Sequence, residues 1–138
     1  MTTTRKMLAF TLTLSALCLC LAPAAFAADA QTMEGEFVWE RTDKNITGPL
    51  KAIFEPTEEA DTWNVSFHFT FEGKAHTYSG TAKGELGTGA LEGEVMSDGE
   101  KPAPFVFEGT FTDGKFSGTH AGFRDGNRRP TGSMTLGG

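Results

Sequence analysis

From about residue 35 onward apolar and polar residues alternate with a period of two, and no stretch carries the 3.6-residue repeat of a helix. The clearest unit is Phe105 to Ala121. Asp113-Gly114 sits at its centre, and Asp-Gly is a strong hairpin signal because a type I′ turn needs positive φ at both central residues. With that turn fixed, Thr112 faces Lys115, Phe111 faces Phe116, Gly109 faces Gly118, Phe107 faces His120 and Phe105 faces Gly122. Every pair but the first shares one face, because side chains alternate along a strand. The other face carries Val106, Glu108, Thr110, Thr112, Lys115, Ser117, Thr119 and Ala121. An aromatic, glycine-rich face opposite one of Thr, Ser and charge predicts an antiparallel sheet with one wet side. A one-residue slip would turn every Phe to water, so the register is strongly specified.

The same pattern extends over the rest of the chain. Gly35–Thr42 predicts a first strand with Phe37 and Trp39 on one face, followed by a loop over 43–49. Leu50–Glu55 predicts a second, with Leu50, Ala52 and Phe54 inward. Glu58, Glu59 and Asp61 read as a solvated turn. In Trp63–Phe71, Trp63, Val65, Phe67, Phe69 and Phe71 share one face, and His68 points outward with Asn64, Ser66 and Thr70. Glu72-Gly73 turns the chain into Lys74–Ala82, where His76, Tyr78, Gly80 and Ala82 fall on the Phe face. Lys83-Gly84 and Gly87-Thr88-Gly89 are competing turn candidates. Leu91, Gly93 and Val95 mark a fifth strand, and Ser97–Pro104 a polar loop. The Asp113-Gly114 hairpin supplies strands six and seven. Arg124–Pro130 reads as a charged loop, and Thr131–Leu136 as the last strand, with Met134 and Leu136 inward.

About eight short strands predict an all-β fold, an antiparallel up-and-down meander. Closing it into a small β-barrel removes the exposed edges. Glycines at 80, 93, 109, 118 and 132 suit closure, since mid-strand Gly marks bends and close backbone approach. An open coiled sheet or a two-sheet sandwich is the alternative. A faint internal echo, SGTAKGELGTG at 79–89 against EGTFTDGKFSGT at 108–119, suits a repeated hairpin.

The first residues read differently. Arg5 and Lys6 precede an apolar run from Met7 to Ala22, and Ala25-Phe26-Ala27 fits a small-x-small cleavage site. Residues 1–27 are therefore expected to be a signal peptide and 28–138 a single domain, secreted or periplasmic. Leu17 and Leu19, not small residues, precede Cys18 and Cys20, which argues against a lipoprotein. Both cysteines lie in that leader, so the remainder has neither a disulfide nor a Cys-bound metal. Without Arg5 and Lys6 the balance is 10 basic against 18 acidic residues, or −8. That balance argues against nucleic acid and anionic membrane surfaces as partners, and no membrane span is expected once the signal is removed.

Candidate chemistry is sparse. Trp39, Trp63, Tyr78 and the Phe row are candidates for lining an apolar ligand pocket, with His76 and His120 on the same face as a polar pair that could grip a ligand or a metal, although ten Phe after residue 34 favour a filled interior. His76 and His120 occupy matching places in two hairpins. Two His without spaced carboxylates are a weak metal signal, so no metal and no cofactor are expected. Arg124, Arg128 and Arg129 cluster around Asp125-Gly126-Asn127 and are candidates for binding an anion or a partner, against the plainer reading of a solvated turn. Asn45-Ile46-Thr47 matches a glycosylation acceptor, relevant only in a eukaryotic secretory route. There is no Cys nucleophile, G-x-S-x-G elbow, H-E-x-x-H or phosphate loop, so a non-enzymatic role is expected ahead of a catalytic one.

The organisation resembles that of small secreted up-and-down barrels, such as avidin-like and lipocalin-like proteins and the barrel inhibitors of lysozymes and proteases. The resemblance is architectural, carries no diagnostic motif, and implies no function by itself. The expected role is an exported domain that binds a small apolar molecule or a protein. A structural or surface-interaction module of the cell envelope is the alternative, and a small hydrolase or isomerase comes third.

Overall fold

The computed structural model describes residues 29–137; the expected signal peptide lies outside the described residues. Eight strands follow one another: β1 (Gln31–Glu40), β2 (Asn45–Pro56), β3 (Thr62–Phe71), β4 (Lys74–Gly84), β5 (Gly89–Met96), β6 (Pro104–Thr112), β7 (Lys115–Arg124) and β8 (Asn127–Leu136). Each pairs antiparallel with the next, and β8 pairs with β1, so the meander closes into a barrel. Closure decides between barrel and open sheet.

Three hairpins turn on a non-glycine residue followed by Gly, all at positive φ: Glu72-Gly73 (51° and 81°), Asp113-Gly114 (54° and 80°) and Asp125-Gly126 (52° and 78°). That is the type I′ backbone, whose twist matches that of the strands it joins. The register around Asp113-Gly114 is the one that the sequence predicts, from Thr112 against Lys115 to Phe107 against His120.

Two segments expected to be loops are strand. Asn45–Pro49 pairs with β1, and the Arg124–Pro130 region is a tight hairpin. Each ends in a Pro, which cannot complete a ladder between two neighbours and so stands against strand. The structure removes that objection. The β2–β3 ladder begins at Leu50, and the β1–β8 ladder stops at Trp39 opposite Gly132, so Pro49 and Pro130 lie where one neighbour is absent. The first strand also starts earlier than expected, at Gln31, and the β4–β5 connection runs over 85–88.

The inward row of every strand meets in one core that includes Phe37, Leu50, Phe54, Val65, Phe67, Leu91, Val95, Phe107, Phe111, Phe116, Met134 and Leu136. Glycines make room for the rings. A Cβ on Gly109 or Gly118 would lie 2.7 or 2.8 Å from the Phe116 ring, and one on Gly93 2.7 Å from that of Phe107. Thr, Ser, Glu and Lys dominate the outward row, the reverse of a barrel that faces lipid. Among the described residues no helix is long and apolar enough to cross a membrane.

An up-and-down barrel has two ends. Connections 57–61, 85–88 and 113–114 close one of them. Connections 41–44, 72–73, 97–103 and 125–126 surround the other, called the mouth below.

Candidate functional site

The mouth is built by the sequence positions that bring aromatic residues to the strand ends there. Trp39 comes from β1, Phe69 and Phe71 from β3, Tyr78 from β4, and Phe105 from β6. All five are only partly buried, unlike the core beneath them. Their rings touch in series. Trp39 meets Phe105 edge-on at 5.9 Å, Phe105 stacks on Tyr78 at 5.5 Å, and Tyr78 meets Phe69 edge-on at 4.9 Å. Phe69 in turn packs on Phe37 at 5.3 Å. Edge-to-face and offset pairs of this kind are favourable beyond the area they bury.

Beneath these rings is a cavity of about 60 Å³, walled by Phe37, Leu50, Phe67, Val95, Phe107 and Met134 as well as by Trp39, Tyr78, Phe105 and His120. Its wall is almost wholly carbon. Burial raises the Tyr78 hydroxyl above its ordinary pKa, and the nearby Asp98 charge adds to that. The hydroxyl is therefore neutral at physiological pH.

His120 is fixed by a bulge. The β7–β8 register shifts between His120 and Ala121, which leaves Thr131 as the extra residue. Thr131 Oγ1 lies 2.6 Å from His120 Nδ1, and His120 Nε2 lies 3.0 Å from the Val38 carbonyl on β1. That carbonyl only accepts, so Nε2 carries the proton, while the Thr131 hydroxyl, whose oxygen also lies 3.0 Å from the His120 carbonyl, has one proton for that oxygen and Nδ1. Burial lowers the His120 pKa, which favours this neutral form against the opposing pull of its backbone hydrogen bonds and Glu40. The ring stacks on Trp39 at 5.7 Å. Gly132 allows this approach: at φ 153°, a Cβ there would lie 1.8 Å from the Val38 carbonyl oxygen and 2.9 Å from His120 Cε1.

His76 is placed differently. It stacks on Phe69 at 5.5 Å, and its Nδ1 lies 2.9 Å from Asp98 Oδ1. The other carboxylate oxygen accepts from the Thr77 amide at 2.9 Å. Asp98 thus continues the β4 edge where β5 has ended, and ties the 97–103 loop to the rim. Hydrogen bonds from His76 and Thr77 hold its pKa below the ordinary carboxylate value. A His–carboxylate pair is also how an imidazole is oriented as a general base. Among the described residues, however, no hydroxyl or thiol is hydrogen-bonded to His76.

The structure therefore brings Trp39, Tyr78 and His120 around the cavity and leaves His76 at the rim. It separates Trp63 from all of them. Trp63 stands at the opposite end, where its indole N–H donates to the Gly84 carbonyl at 2.8 Å. His76 and His120 do not form a joint pair, since each has its own partners. Among the described residues no group of three His, Cys, Asp or Glu could hold a metal ion. His68 lies on the outer face between Ser66 and Thr77.

The three arginines divide as well. Arg128 is opposite Phe123 on the outer face and reaches Glu108 at 3.6 Å. Arg129 is opposite Gly122, and a Cβ on Gly122 would touch the Phe105 ring at 3.1 Å, so both residues share the inner face. Arg124, two residues beyond Gly122, lies on that face too. Asp98 and Thr131 are the residues of this region that the sequence did not single out as a site, and the Phe row was a candidate only as a whole. Asp98 is 22 residues from His76, and Thr131 acts only through a bulge, so neither leaves a local signal. Phe69 and Phe105 are indistinguishable in sequence from the core Phe residues. The chain matches no protein-family model and no curated protein by sequence.

Proposed function

We propose that the protein is an exported, non-enzymatic binding module whose aromatic mouth takes up the apolar part of a small molecule. The observation that carries this reading is the carbon-walled cavity beneath half-buried rings at one end of the barrel. Export rests on the leader-like first 27 residues. The cavity volume narrows the ligand. At about 60 Å³ it is smaller than the roughly 150 Å³ that admits benzene, and far below the roughly 300–1,000 Å³ of sites that enclose a drug-sized molecule. The mouth thus grips one end of its ligand.

Titration with the neutral fluorescent probe N-phenyl-1-naphthylamine tests this reading. Emission should rise with the wild type and with Trp63→Phe, and should fall away with Phe105→Glu or, should that variant misfold by circular dichroism, with Tyr78→Arg. No rise with the folded wild type overturns it. A second reading, a surface-interaction module of the envelope, is favoured by the exposed Met96 and Phe123 on the outer wall. It gains if the mouth takes up no probe.

A further inference from the structure

The β7–β8 hairpin outruns its neighbours at the mouth. The β6–β7 ladder stops at Val106 opposite Ala121, and the β1–β8 ladder stops at Trp39 opposite Gly132. Beyond both, β7 and β8 continue as pairs Gly122–Arg129, Phe123–Arg128 and Arg124–Asn127 before the Asp125-Gly126 turn. These pairs form a two-stranded flap that stands past the rim. Its inner face carries Arg129 and then Arg124, directly outward from the Phe105 ring that borders the cavity.

Three of the nearby acids have partners of their own. Asp98 is bonded to His76 and Thr77, Glu72 lies 3.7 Å from Arg41, and Glu108 lies 3.6 Å from Arg128. Glu40 is on the face of β1 opposite Trp39, and Asp125 occupies the turn itself. Among the described residues Arg124 and Arg129 form no ion pair. Two guanidinium groups without an ion-pair partner thus stand above an apolar cavity, in a chain of net charge −6. Guanidinium groups bind a carboxylate through paired N–H donors, and the carbon wall below accepts no polar group.

We infer that the ligand is a small amphipathic carboxylate, with its apolar end in the cavity and its carboxylate held by Arg124 and Arg129. This rests on the mouth being the binding site. The two arginines fix orientation, and the rings supply the apolar contact. A free carboxylate monomer fits this geometry better than a membrane surface, since the outer wall is polar and the chain as a whole is acidic.

Octanoate and 1-octanol, used as monomers, share an alkyl chain and differ in charge. Trp63→Phe leaves Trp39 as the one emitting tryptophan of residues 28–138, so its fluorescence reports the mouth. Octanoate is expected to bind about tenfold more tightly than 1-octanol, because hydrogen bonds to a charged group contribute more than neutral ones. Arg124→Gln with Arg129→Gln should bring octanoate down to the affinity of 1-octanol, and added salt should weaken octanoate alone. Equal affinities, or an octanoate advantage that survives the double substitution, overturn the inference while the apolar site stands. If neither compound binds, the reading of the mouth fails and this inference with it.

Discussion

The two ends of the barrel are made of similar residues and are packed differently. At the closed end Phe54, Phe116, Leu91 and Leu136 are at most 1% exposed, and the Phe111 and Phe116 rings lie 5.3 Å apart. Trp63 there has its indole N–H satisfied by the Gly84 carbonyl. At the mouth Trp39, Phe69, Phe71, Tyr78 and Phe105 remain partly exposed above a void. The Phe116 ring lies against Gly109 and Gly118, whereas the mouth rings lie against one another, with Phe105 also against Gly122. Aromatic content alone therefore does not distinguish a filled core from a binding site.

The sharpest way to break this comparison is to truncate one ring at each end. Phe116→Ala should destabilise by about 3–5 kcal/mol, as expected for a buried Phe, whereas Phe105→Ala should remove less than about 2 kcal/mol, because water already reaches the site. Urea denaturation of both variants measures the difference, and equal losses would mean that the mouth is as much core as the closed end.

Gly132→Ala comes next. It strains a residue at φ 153° and drives a methyl group into the Val38 carbonyl, at the ladder that closes the barrel. A loss of about 2–3 kcal/mol is expected, with hydrogen exchange quickening first in β1 and β8. Unchanged exchange there would show that closure does not depend on this approach.

The His120 effect is smaller and depends on pH. Burial holds its pKa below the ordinary imidazole value of 6.5, so the unfolded chain takes up the proton at higher pH than the folded one. Its contribution is complete above 6.5, declines as the pH falls towards the folded pKa, and levels off below it. The urea midpoint of the wild type should drop across that window, and His120→Gln should flatten the drop. An equally steep decline in the variant would assign the pH dependence to other groups.

The smallest effect belongs to the rim. Asp98 is exposed, so Asp98→Asn should leave the denaturation midpoint in place while amide exchange quickens at Thr77 and through 97–103. A shifted midpoint would show that the rim loop unfolds with the core.

Much of this architecture was legible in advance because period-two alternation is local. Phe105–Ala121 and Trp63–Phe71 each declare which face is buried, and Asp113-Gly114 and Glu72-Gly73 set register without help from distant residues. The 79–89 and 108–119 echo reflects two connections at the same closed end. Asn45–Pro49 and Arg124–Pro130 were misread because their strands pair on one side only, and that depends on where neighbouring ladders stop.

The amino-acid order by itself determined the all-β class, the identity of the inward rows and the tight turns, since these depend on side-chain alternation and on backbone angles within a few residues. Only the tertiary structure decided that Trp39 and Trp63 stand at opposite ends, that Arg129 and Arg128 face opposite ways, and that His120 is bonded to a strand 82 residues away. Those outcomes follow from closure and from the stagger of eight ladders around one axis, which no single stretch of chain encodes.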